Sequence, residues 1–166
     1  AFRRLVKRHG ACGLVVSEMV SSEALVRGIG RSLEYLEFTE EERPVSIQIF
    51  GGDPAHMAAA AQVVESRGAD IVDINMGCPA PQNPKHNAGC SLMREPAHAA
   101  EIVAAMVKAV KIPVTVKMRA GWDERESDEC GSYDIPIPEL PEFADHDLGL
   151  SHETHFATFN VFSPWG

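Results

Sequence analysis

The feature that most constrains this chain is a repeated unit in which a short alternating strand is followed by a helix that opens on proline. In residues 45–50, Val45, Ile47 and Ile49 alternate with Ser46 and Gln48; in residues 114–119, Val114, Val116 and Met118 alternate with Thr115, Lys117 and Arg119. Between them, residues 71–75 set Asp73 and Asn75 opposite Val72 and Ile74. A period of two predicts strands with one apolar and one polar face. Asp53-Pro54 reads as a cap followed by proline in the first helical turn, opening a helix through Met57, Ala61 and Val64 that Gly68 stops. Pro96 opens another, with Ile102, Val103, Met106, Val107 and Val110 on one stripe. Upstream, residues 1–9 read as a basic helix stopped at Gly10, and residues 13–19 as a strand. Ser21 or Ser22 then caps a helix bearing Leu25, Ile29, Leu33 and Leu36. Strand then helix, repeated, implies parallel strands joined by helical crossovers, in a barrel or a doubly wound sheet.

The polar parity separates these two. An open sheet covered by helices on both sides wants apolar residues on both faces, whereas a barrel accepts polar groups inside near its upper rim. Gln48, Asn75 and Lys117 all lie toward the carboxyl ends of their strands, which favours the barrel; the alternative is that they satisfy local backbone there. The expected fold class is α/β, a partial (β/α)8 TIM barrel of about four of the eight units, since a closed barrel takes about 250 residues and this chain has 166. Such a half-barrel leaves two open strand edges, which invite self-association.

Charge is placed unevenly. Residues 1–122 carry 14 Lys+Arg against 13 Asp+Glu, while residues 123–166 carry only Arg125 against 11 acids. A near-neutral body can present a basic face to a polyanion, and an acidic tail repels one or covers that face. The same boundary brings a cluster of prolines and a loss of periodicity, so two segments are expected: residues 1–122 as the barrel part and residues 123–166 as an irregular acidic tail. No apolar run approaches the roughly 18 residues of a membrane span. The four cysteines form no Cys-x-x-Cys pair, and a cytoplasmic protein with reduced thiols is expected. The Cys78, His86, Cys90 and His152, His155 spacings match no familiar metal-ligand set, so no metal is expected.

Strand 71–75 runs into Met76-Gly77-Cys78-Pro79 and then a proline-rich loop. A thiol just past the carboxyl end of a strand sits where barrel enzymes hold reacting groups, and an unperturbed thiol is mostly protonated at neutral pH, hence able to donate a proton. Position alone leaves a second reading open, in which Cys78 is a small buried packing residue.

Ser17-Glu18-Met19, Gln48-Ile49-Phe50-Gly51, Asp73-Ile74-Asn75-Met76-Gly77-Cys78-Pro79, Ala88-Gly89 and Val116-Lys117-Met118-Arg119-Ala120-Gly121-Trp122 together resemble the bacterial tRNA-dihydrouridine synthases over residues 1–122. The resemblance implies a cytoplasmic flavoprotein oxidoreductase of tRNA processing, with FMN as cofactor, NADPH as electron donor and tRNA as partner, reducing the C5=C6 bond of uridine. It implies Cys78 as the proton donor, Gln48 and Lys117 as flavin contacts, and Asn75 and Arg119 as contacts to the uracil or a nearby phosphate. The family's lysine shortly after Cys-Pro is replaced here by Gln82, with Lys85 as a substitute. The strands that complete the flavin phosphate site and the helical RNA-binding domain have no counterpart in residues 123–166. Two rivals follow: a catalytically inactive half-barrel that serves as an interaction module, and a Schiff-base lyase using Lys117, since strand-end lysines in barrels form imines.

Overall fold

The computed structural model describes residues 2–10, 12–78, 87–119 and 156–161. Helix α1 (Phe2–His9) leads to two short strands, β1 (Val15–Val16) and β2 (Val20–Ser21), and two short helices, α2 (Ser22–Val26) and α3 (Gly30–Glu34). The repeat follows: β3 (Val45–Phe50), α4 (Pro54–Ser66), β4 (Ile71–Met76), α5 (Pro96–Ala109) and β5 (Val114–Arg119), and then β6 (Phe156–Val161). Strands β1 and β2 both pair in parallel with β3, β3 with β4 and β4 with β5. The sheet curls into a half-barrel.

Strand parity explains how the core is made. Val45, Ile47, Ile49, Val72, Ile74, Met76, Val114, Val116 and Met118 all lie in one buried cluster with Met57, Ala61 and Val64 of α4 and Ile102 and Met106 of α5. Helix α4 begins where the sequence placed it, with the Asp53 carboxylate accepting from the His56 N–H at 2.8 Å. Six apolar side chains of β3 and β4 are thus pinned outward against helices, and period two obliges Ser46, Gln48, Asp73 and Asn75 to face the other way, into the concave side.

Three expectations are corrected. Residues 13–19 do not form one strand: Val15 pairs with Val45 and Val20 with Ile49, so five steps on one side face four on the other. The surplus residue makes a bulge, and Ser17 interrupts the ladder by accepting the Gln48 N–H on its hydroxyl at 3.0 Å. The helix after Ser21 is broken in two, because Gly28 adopts φ +67° just past the end of α2; Leu25 and Leu36 reach the core, while Ile29 is exposed. The strand edge expected to be open beyond β5 is paired: β6 runs antiparallel to β5 from Val114↔Val161 to Arg119↔Phe156. Strand β6 occupies one of the two edges expected to be open. The rest of the tail, including the boundary at residues 122–123, lies outside the described residues.

Candidate functional site

The concave side of β3, β4 and β5 walls a cavity of about 300 Å³, lined by Ser46, Gln48, Asp73, Thr115 and Lys117 and, from the amino-terminal strand, by Leu14, Val16 and Ser17. One side is apolar and the other is a set of hydrogen-bonding groups, the usual form of a small-molecule site. Gln48 and Lys117, chosen from sequence as partners at one site, do share this wall.

The wall is internally bonded. Asp73, only 3 % exposed, accepts from Gln48 Nε2 at 2.6 Å on one carboxylate oxygen and from the Thr115 hydroxyl on the other. Burial pushes the Asp73 carboxyl up from its ordinary range, opposed by these two hydrogen bonds and by the Lys117 charge. Asn75 Nδ2 donates to Gln48 Oε1 at 2.8 Å, and Asn75 Oδ1 accepts from the N–H groups of Gly77 and Cys78 at 3.2 and 3.0 Å. One run of hydrogen bonds therefore links β5, β4 and β3 and returns to the Cys78 backbone.

Cys78 is not on the cavity wall; it is joined to it through Asn75. Its carbonyl accepts the Cys90 N–H at 3.1 Å, and Gly89 makes that approach possible: its φ is +65°, and a Cβ there would stand 2.8 Å from the Cys78 carbonyl oxygen. The Ala88-Gly89 pair thus packs directly against the Cys78 backbone. Gly52 acts likewise on Asn87, whose backbone a Cβ would strike. Arg119 closes β5 with its backbone paired to Phe156; its side chain lies outside the described residues, as do residues 79–86 with Gln82 and Lys85.

Sequence reasoning missed Asp73, Thr115 and Ser46 as site residues, although the polar parity that placed Gln48 and Lys117 names them equally. Ser46, 1 % exposed, lines the cavity, and its hydroxyl has no hydrogen-bond partner among the described residues. Three arginines of the basic helix α1 are paired within the chain itself. Arg3 pairs with Glu42 at 2.8 Å, Arg4 with Glu41 at 2.8 Å, and Arg8 with Glu41. Hydrogen bonds from Arg8 and Arg4 hold the Glu41 carboxyl down at about 2. Among the described residues, no helix is long and apolar enough to cross a membrane.

Comparison with known proteins places this arrangement. A family model described as dihydrouridine synthase matches residues 1–135. The chain is 50% identical over 122 residues to tRNA-dihydrouridine synthase B of Pseudomonas aeruginosa, covering 74% of this chain and 36% of that protein. It is 48% identical over 125 residues to a probable tRNA-dihydrouridine synthase of Rickettsia bellii, covering 75% and 38%, and 45% identical over 125 residues to probable tRNA-dihydrouridine synthase 1 of Synechocystis sp., covering 75% and 35%. The chain spans little more than a third of the length of these relatives. With a family match over most of its residues and half-barrel strands that carry the matching motifs, the chain belongs to the dihydrouridine synthase family.

Proposed function

We propose that this chain forms part of an FMN-dependent oxidoreductase that reduces the C5=C6 bond of uridine in tRNA, with NADPH as the source of electrons. The observation that carries the reading is the run of hydrogen bonds from the cavity wall to Cys78, which couples a ligand-sized polar site to a thiol in the family's cysteine motif.

The donor set suits a flavin. The Gln48 amide and the Lys117 ammonium line the cavity as donor-bearing groups, the Ser46 hydroxyl has no partner among the described residues, and Leu14 and Val16 supply apolar surface, as the polar edge and flat face of a fused heteroaromatic ring require. When bound, FMN supplies hydride to C6 of the uracil. The chain's part is to hold positive charge at Lys117 against the cavity, to orient Gln48, and to deliver a proton from the Cys78 thiol to C5. Asn75 serves this by fixing the Cys78 backbone, and Arg119 by meeting the base or a phosphate. On this reading the reaction belongs in the cytoplasm, where a tRNA substrate is met.

Titration of the 166-residue protein with FMN, followed by flavin fluorescence, tests the cofactor. Saturable binding that Gln48→Ala and Lys117→Ala weaken is expected, followed by NADPH-dependent reduction of unmodified tRNA. Folded protein that binds no FMN makes this chain an inactive member of its family. Borohydride trapping of a carbonyl substrate on Lys117 would replace the flavin reading with imine chemistry.

A further inference from the structure

The two ends of a carboxamide are nearly alike in shape, so Gln48 and Asn75 could each sit either way round. Their neighbours permit one arrangement. The N–H groups of Gly77 and Cys78 can only donate, so the Asn75 atom they meet is Oδ1. Asn75 Nδ2 then faces Gln48, which offers Oε1 at 2.8 Å. That turns Gln48 Nε2 toward Asp73, at 2.6 Å, where a carboxylate oxygen accepts. The other carboxylate oxygen takes the Thr115 hydroxyl. Backbone N–H groups anchor one end of the run and a carboxylate the other, and neither can exchange donor for acceptor by rotating. Asp73, Thr115, Asn75 and Gln48 are all more than nine-tenths buried, so water is a poor substitute partner.

We infer that Asp73, backed by Thr115, is a positioning residue that sets the donor and acceptor ends of the Gln48 amide at the cavity wall and, through Asn75, holds the first turn of the Cys78 segment. The consequence for catalysis rests on the flavin reading above; the bonding itself does not. In this role Asp73 acts through its hydrogen bonds and not on the thiol directly. It acts through the Gln48 amide, whose Nε2 loses its acceptor without the carboxylate, and through Gln48 on Asn75, whose Oδ1 the backbone N–H groups also hold.

The test compares Asp73→Leu, Asp73→Asn and Thr115→Val in the 166-residue protein. Asparagine can accept from Gln48 with its oxygen while its NH2 donates to Thr115, whose hydroxyl turns to accept; leucine can do neither. In 15N-labelled protein, the side-chain amide protons of Gln48 and Asn75 should exchange slowly in wild type and Asp73→Asn. They should exchange about tenfold faster in Asp73→Leu, the scale of a lost buried hydrogen bond. Cys78 alkylation by iodoacetamide, read by peptide mass with Cys12 as internal reference, should rise in parallel. FMN affinity should fall about tenfold in Asp73→Leu and recover to within about threefold in Asp73→Asn. If Asp73→Leu does not fold, Thr115→Val should give the same changes at about two- to threefold. Unchanged amide exchange in a folded Asp73→Leu or Thr115→Val variant overturns the inference, as does an Asp73→Asn variant that behaves like Asp73→Leu. Wild-type protein that binds no FMN sinks the flavin reading alone, and amide exchange and alkylation still decide the positioning role.

Discussion

Cys78 is held on both sides of its backbone, its N–H on Asn75 and its carbonyl under the Cys90 N–H. Neither of these bonds uses its thiol. Cys78→Ala should lower uridine reduction in tRNA by about a hundredfold or more, the scale of a lost general acid, while leaving FMN binding nearly intact. Equal loss of both in that assay would mark the thiol as packing. Gly89 carries the opposite kind of constraint, purely steric. Gly89→Ala forces a methyl group against the Cys78 carbonyl at a backbone angle that side chains avoid, and should cost about 1–3 kcal/mol. That is a melting temperature lower by roughly 2–10 °C in a calorimetric scan. The alternation of strand residues made Gln48, Asp73, Asn75, Thr115 and Lys117 legible as one face. It could not tell that Asn75 bonds inward to Gln48 and Cys78, because hydrogen bonding between strands depends on register, which period two does not specify.

Helix α4 illustrates an element written almost wholly in local chemistry. Asp53 caps it, Pro54 starts it, and Gly68 at φ +81° ends it. Removing the cap in Asp53→Ala should cost about 1 kcal/mol, measurable by urea denaturation. Helix α1 is different, since long-range ion pairs attach it. Glu41 and Glu42 belong to a short 3₁₀ turn, and their partners Arg3, Arg4 and Arg8 lie more than 30 residues away. The Glu41 carboxyl is depressed to about 2 by hydrogen bonds from Arg8 and Arg4 and by their charge. A depressed folded-state value means that this contribution is whole above the ordinary carboxylate range and disappears as pH falls through about 2. The protection of α1 amides against hydrogen exchange, relative to the unfolded rate at each pH, should therefore fall between the ordinary range and pH about 2. Glu41→Gln should shrink that acid transition to the part carried by Glu42 and Arg3, and leave α4 unaffected. For Glu42, burial pushes the carboxyl up, but hydrogen bonds from Thr39 and Arg3 and the Arg3 charge outweigh it and hold the group below its usual value. The break between α2 and α3 was less legible, because the spacing of Leu25, Ile29, Leu33 and Leu36 is compatible with one helix. The positive φ at Gly28, just past Arg27 at the end of α2, decides otherwise.

In the described part of the molecule, the sheet ends differently at its two sides. Strand β6 covers β5, whereas β1 and β2 leave the amino-terminal side with Leu14, Val16 and Met19 exposed. Exposed apolar residues beside a strand edge favour pairing with another chain. The protein should show concentration-dependent association in sedimentation velocity, and Val16→Lys should shift it toward monomer. A monomer at all concentrations would show that β1 and β2 are too short to template a partner. By itself, the sequence determined the parallel strand and helix repeat, the face of each strand that meets the helices, and the family, because these depend on periodicity, caps and contiguous motifs. Tertiary structure alone decided that Asp73 bonds to both Thr115 and Gln48, that Gly89 presses on Cys78, that α1's arginines are neutralised internally, and that β6 returns to β5. Each of these joins residues far apart in sequence, and such contacts follow from how strands align in space, about which local pattern is silent.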